Sequence, residues 1–313
     1  MRVTTKMLTS SLLNNVNSNL TQLQKYENQL SSDVKVDKVS DDPVAAAKIL
    51  KAKSELKSQE QYSTNMEYAS GWLKSVDDAL ASVDDVLQRA REIAVSGSNG
   101  ATAIESSKAL GEEVSSIIGE LVHVGNTDYN GSYIFAGGES STVPFTTIPA
   151  DGSNITEVNF IISDSATLED TFTQKVEISK GVTIDLSAGQ MSFHTDGSGD
   201  TDINSSFKTL IKLRDYLVSG DQDSVNDLIG EIDSLIDNVI SERAVVGAKS
   251  NRIEQAQGRS ESFNTSLNTL ISNLGDTDYA ETSALYSSQQ AVYEASLTVG
   301  ANIIQPSLLD FLK

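Results

Sequence analysis

Residues able to do chemistry are few in this chain, and their spacing is poor for catalysis. The two histidines, His123 and His194, stand in a helical stretch and a loop between strands. Neither lies in a serine or cysteine nucleophile pattern, so neither reads as a general base. Asp196, Asp200 and Asp202, in Asp-Gly-Ser-Gly-Asp-Thr-Asp, have the acidic density of a calcium loop. They lack the ligand order and the closing glutamate that such a loop needs, and a solvated turn explains them. The acidic pairs Asp41-Asp42, Asp77-Asp78 and Asp84-Asp85 could suggest paired carboxylates. The first precedes Pro43 as a helix cap would. The others repeat on the polar face of a heptad helix, where solvation accounts for them. There is no phosphate-binding glycine loop. No enzyme activity, cofactor or metal is expected.

The scaffold around these residues is long and helical. The chain has 313 residues, no cysteine, four prolines and one tryptophan, Trp72. Without cysteine there are no disulfides or thiolate metal sites. A formal net charge of -21 repels nucleic acid and anionic membrane surfaces, so neither is an expected partner. No apolar run approaches the roughly 20 residues of a membrane span. The first residues lack the apolar core of a cleavable signal peptide.

Apolar residues recur in steps of three and four over most of the length. From Pro43 the seam runs Ile49, Ala52, Leu56, Met66, Ala69, Leu73, Val76, Leu80, Val83, Leu87, Ala90 and Ala94. A helix from Pro43 to Val95 would be about 80 Å long, a rod's dimension. Leu110, Val114, Ile117, Leu121 and Val124 mark another helix, and Phe207, Leu210, Ile211 and Leu217 a further one. A second long seam runs Val225, Leu228, Ile232, Leu235, Val239, Val246, Ile253, Ala256, Phe263, Leu267, Leu270 and Leu274. Between the two long seams the period drops to two, at Val158, Phe160 and Ile162, Val176 and Ile178, and Val182, Ile184 and Leu186, with glycine turns. The expected fold is mainly α: a long antiparallel helical bundle or coiled-coil rod with a small inserted β domain. Its expected domains are 1–39 with 276–313 (terminal coiled coil), 40–139 with 201–275 (helical bundle) and 140–200 (inserted β domain).

Two stretches differ from the rest. Met7 to Gln24 contains no charged residue, with Leu13, Val16, Leu20, Leu23 and Leu30 at heptad spacing. Tyr279 to Leu309 carries only Glu281 and Glu294, with an apolar pattern expected to end at Gln305-Pro306. Helices so poor in charge are badly solvated alone, so the two stretches should pack on each other or on the same neighbours. Leu8, Leu13, Val16, Leu20 and Leu23, with Leu285, Val292, Val299, Ile303, Leu308, Leu309 and Phe311, are the expected subunit and partner contacts.

Four motifs in order carry a resemblance over nearly the whole chain: Ser40-Asp41-Asp42-Pro43-Val44-Ala45-Ala46, Asp128-Tyr129-Asn130-Gly131-Ser132-Tyr133-Ile134-Phe135-Ala136-Gly137, Glu242-Arg243-Ala244-Val245-Val246-Gly247-Ala248, and Gln305-Pro306-Ser307-Leu308-Leu309-Asp310-Phe311-Leu312. Together they resemble the flagellar hook-associated protein 3 family, flagellin-like junction proteins. Such proteins usually carry Leu-Ser-Ser-Gly and basic residues in the connector, where this chain has Ser31-Ser32-Asp33-Val34-Lys35. The resemblance implies an adapter joining the flagellar hook side to the filament. The implied partners are hook-associated protein 1 on the hook side, flagellin on the filament side, copies of the chain itself in a ring, and an export chaperone. It also implies export through the flagellar type III apparatus to an extracellular place in the flagellum. The alternative within the same architecture is flagellin itself, the bulk filament subunit. A hydrolase housed in the β insert and a cytoplasmic coiled-coil signalling module are the rivals from other classes.

Overall fold

The computed structural model describes residues 5–99, 104–136, 141–149, 155–160, 175–186 and 203–309. Its helices are α1 (Thr5–Ser32), α2 (Pro43–Gly97), α3 (Ile104–Gly125), α4 (Ile203–Ser219), α5 (Gln222–Gly275) and α6 (Tyr279–Leu309). The long helices start where the sequence offers a cap. Asp42 Oδ1 accepts the N–H groups of Val44 and Ala45, each at 3.0 Å, with Pro43 filling the first helical position. Asp221 accepts the Ser224 N–H at 3.2 Å ahead of α5, next to Gly220 with φ of 76°. Asp278 accepts the N–H groups of Ala280 and Glu281 at 2.9 and 3.1 Å, opening α6.

The chain divides into two compact units, and the division falls within α2 and α5. One comprises Gln59–Ser260. Its core follows the expected seam: Met66, Leu73, Val76, Leu80, Leu87, Ala90 and Ala94 are fully buried along α2. Facing them on α5 are Val225, Leu228, Ile232, Leu235, Val239, Val246 and Ile253. Ser260 Oγ donates to Gln59 Oε1 at 3.1 Å, Arg243 pairs with Asp77 at 3.1 Å and Arg91 with Asp233 at 2.5 Å. Numbers rising on one helix as they fall on the other make α2 and α5 antiparallel here. α3 lies against α4, where a Cβ on Gly111 would come within 2.8 Å of Val218.

Among the described residues, three antiparallel hairpins belong to this unit. β1 (Asp128–Tyr129) pairs with β2 (Ser132–Tyr133), β3 (Phe145–Ile148) with β4 (Glu157–Phe160), and β5 (Lys175–Ser179) with β6 (Val182–Asp185). Phe145, Ile155, Ile178, Ile184 and Leu186 join the same core as the helices. Asn126 at the end of α3 holds Phe145 on both sides, donating to its carbonyl at 3.0 Å and accepting its N–H at 2.9 Å. The buried Arg214 of α4 donates to the Ile155 carbonyl and pairs with Asp215 at 2.7 Å. The first hairpin turns on Asn130 and Gly131, with φ of 53° and 77°, the conformation that suits a two-residue loop.

The other unit comprises Met1–Ser58 and Glu261–Lys313. α1 and α6 pair antiparallel within it: Asn19 meets Ser296, and Gly300 lies over Leu12. Their connectors are bonded together. Val34 bridges Asp276, Lys35 N–H donates to the Gly275 carbonyl at 2.6 Å, and Thr277 N–H to the Asp33 carbonyl at 3.2 Å. Asp33, where the resembling family has glycine, takes φ of 58°. Aspartate tolerates that left-handed conformation better than most residues, so α1 can still end there.

Two expectations are corrected. α6 does not stop at Gln305-Pro306 but runs on to Leu309. Pro306 withholds one N–H, which does not cancel its neighbours' bonds. Phe263 and Leu270, expected in the α5 seam, are exposed, whereas Leu267 between them is buried. Both belong to the smaller unit and lie outside the continuous core of the other.

Candidate assembly interface

On α6 the face that meets α1 is not the apolar one. On α6 the covered or half-covered positions include Thr282, Tyr286, Gln289, Tyr293, Ser296 and Gly300, in steps of four and three. On α1 the half-buried line includes Thr9, Leu12, Val16, Asn19, Leu23, Tyr26 and Leu30, in steps of three and four. Two heptad lines therefore meet, and the α6 line is polar, aromatic or small. At its centre Asn19 Nδ2 donates to Ser296 Oγ at 3.0 Å, and Gln289 Nε2 donates to Asn19 Oδ1 at 3.3 Å. Ser296 Oγ in turn donates to the Val292 carbonyl at 2.7 Å. A Cβ on Gly300 would come within 2.8 Å of Leu12 Cδ2, so glycine permits the close approach.

The apolar residues of α6 point elsewhere. Leu285, Val292 and Val299, seven residues apart, retain 42%, 45% and 53% of their surface. On α1, Leu8 and Leu13 retain 46% and 56%, while Val16, Leu20 and Leu23 are half-buried. The side chains of Ile303, Leu308 and Leu309, and Phe311 as a whole, lie outside the described residues. So does the Asp196, Asp200 and Asp202 group, together with His194. His123 is exposed in the last turn of α3. The acidic pairs separate: Asp77 and Asp84 both reach Arg243, at 3.1 and 3.9 Å, while Asp78 and Asp85 are exposed. Solvation alone did not account for them.

Electrostatics divide along the same line. The smaller unit holds 12 acidic and 10 basic residues, a net of -2, against 32 and 13 in the larger, a net of -19. Copies of the smaller unit can therefore approach with little repulsion. Its charges include the pair Lys25–Asp41 at 3.1 Å beside the connector. The hydrogen bond from Lys25, then that from the Lys38 backbone, holds the Asp41 carboxyl below its ordinary range. Sequence reasoning missed the Asn19, Gln289 and Ser296 cluster. A polar residue at a heptad position flanked by Leu12, Val16 and Leu23 was the available signal.

A paired, charge-poor set of helices formed from the two ends of a chain, with the intervening residues in a separate helical unit, is the architecture of a helical structural protein. The chain belongs to the flagellin family: the bacterial flagellin N-terminal helical region matches residues 3–140, and the C-terminal helical region matches residues 229–312. It is similar to Flagellar hook-associated protein 3 of Escherichia coli (strain K12), 23% identical over 95% of both chains. It is also similar to the flagellin of Listeria monocytogenes, 28% identical over 90% of this chain and 88% of that one. The structure of a flagellar hook-associated protein from Vibrio parahaemolyticus superposes with a TM-score of 0.63 at 20% identity, over 75% of this chain and 100% of that one.

Proposed function

We propose that this chain is a junction protein of the hook-associated protein 3 type, a structural adapter between the hook side of the bacterial flagellum and its flagellin filament. The observation that carries its mode of assembly is the outward apolar line Leu285, Val292 and Val299 on a helix whose inward line is polar. Burying that line against neighbours removes apolar surface from water at about 25 cal/mol per Å2, a gain the isolated chain leaves unused. Leu8 and Leu13 add to the same contact from α1. The role is structural, with no catalytic step.

The neighbours in this reading are copies of the chain in a ring, hook-associated protein 1 below and flagellin above. Export runs through the flagellar type III apparatus with a chaperone. Similarity to hook-associated protein 3 over 95% of both chains supports the junction reading. Among the described residues no helix is long and apolar enough to cross a membrane.

The test is Val292→Asp with Val299→Asp in flagellated cells. Both side chains are exposed, so the purified variant should keep its helicity. The expected outcome is intact hooks without filaments and flagellin shed into the medium. Normal filaments would overturn the assignment of this line to assembly. Indefinite extension of filament seeds by the purified wild-type chain would replace the junction reading with flagellin.

A further inference from the structure

We propose that the Asn130-Gly131 step is a covalent modification site, a latent deamidation site that Asp128 keeps closed. The inference does not depend on the assembly reading. An asparagine followed by glycine can cyclise: the Gly131 backbone nitrogen attacks Asn130 Cγ, the new N–Cγ bond replaces the Cγ–Nδ2 bond, and ammonia leaves with the proton the nitrogen gives up. Water then opens the imide. Attack at the side-chain carbonyl leaves aspartate, whereas attack at the main-chain carbonyl leaves isoaspartate, whose backbone runs through Cβ and Cγ and is longer by a single atom. Either product adds a negative charge.

The first hairpin supplies both the reacting groups and the restraint on them. The Asn130 side chain is exposed, and its amide has no hydrogen-bond partner among the described residues. Gly131 is exposed too, and a Cβ built on it would meet nothing within 4 Å, so no neighbour crowds the approach to its nitrogen. The restraint is Asp128, whose Oδ2 accepts the Gly131 N–H at 3.2 Å. Cyclisation needs that nitrogen to lose its proton, and a carboxylate anion bonded to the N–H opposes the loss. The turn is a further restraint. Asn130 at φ of 53° and Gly131 at φ of 77° join Tyr129 to its partner Ser132, and the imide ring demands a different rotation of the Asn130 backbone. The hairpin has to open locally before the ring can close.

The position gives the modification a structural consequence. The Tyr129 ring lies 5.9 Å from Tyr68 and 6.1 Å from Trp72, edge-on to the latter, and its hydroxyl lies over Gly71, where no Cβ would fit. A longer backbone at residue 130 displaces β2 along β1 and loosens this aromatic cluster. Trp72 is the chain's single tryptophan and is buried, so its fluorescence reports the change.

The test incubates the purified full chain in mildly alkaline buffer and follows amide loss by mass spectrometry of its peptides. Asn99, in the chain's other Asn-Gly step, is the internal reference. Asp128→Ala is expected to raise the Asn130 rate relative to Asn99 by about three- to ten-fold, the effect of removing a hydrogen bond from the resting state. Asp128→Asn, which keeps an acceptor without the charge, should fall between parent and alanine variant. If far-UV dichroism shows that Asp128→Ala has lost helix, Asp128→Val replaces it with the same expectation. An unchanged ratio in the folded variant would overturn the proposal. So would an Asn130 that stays intact in the folded variant while it converts in the same chain unfolded in urea. In the isoaspartate fraction Trp72 emission should move to longer wavelength, and unmoved emission would overturn the link to the aromatic cluster.

Discussion

The pairing of α2 with α5 and the pairing of α1 with α6 solve the same packing problem in opposite ways. In the first, leucines, isoleucines and valines face inward and the charged residues face water. In the second, α6 turns Gln289, Ser296 and Gly300 toward the α1 line of Leu12, Val16, Asn19 and Leu23, and leaves Leu285, Val292 and Val299 facing out. The first pair is complete within one chain. The second has its best apolar surface still uncommitted, on a unit whose net charge is only -2. An amphipathic helix thus announces that it will bury a face, and the partner's identity decides which copy of the chain supplies the cover.

The sharpest way to break the comparison is to remove the same kind of group from each pair. Leu87→Ala, in the closed core, should cost about 3 kcal/mol through lost burial and a residual cavity. Val292→Ala, on the open face, should cost under about 0.5 kcal/mol in the free chain, as surface changes usually do. Urea unfolding of the two purified variants checks both numbers, and equal losses would mean that the α6 face is already covered within the chain.

The α2 seam was legible because apolar residues recurring at three and four have one satisfactory place to go when an equally long seam follows in the same chain. The positions from Met66 to Ala94 needed only that periodicity. The α1–α6 pair was legible as a pair from its missing charge, but its orientation was not. Leu285, Val292 and Val299 and the line Thr282, Gln289 and Ser296 both repeat at seven, and periodicity cannot rank a polar line above an apolar one. Phe263 and Leu270 misled for a related reason, continuing a seam beyond the part of the core that covers it. The Asn130-Gly131 turn carries a hairpin signal, but the strands it joins are only two residues each and leave no alternation to accompany it.

Two smaller effects sharpen the contrast at the joints. Asp42→Ala removes the acceptor for two N–H groups at the start of α2 and should lower stability by about 1 kcal/mol. Thermal melting of the purified chain measures it, and Asp42→Asn, which keeps an acceptor, should recover most of the loss. The least effect is expected at Asp41. Its carboxyl lies below its unfolded value of about 3.9, so its contribution is present above that pH and is lost as pH falls through the folded value. Lys25→Met should remove most of that slope, leaving the stabilities of variant and parent closer below pH 4 than at pH 6. Denaturant midpoints at the two pH values would show it, with a constant difference counting against the pair.

The bridge between Val34 and Asp276 also has a mechanical meaning. Tension on α1 and α6 together reaches α2 and α5 through two covalent backbones, and the bonds from Lys35 to Gly275 and from Thr277 to Asp33 tie those backbones side by side. The two crossings are thus joined laterally as well as along the chain. The joint behaves as a two-ply cord, in which neither ply stretches alone.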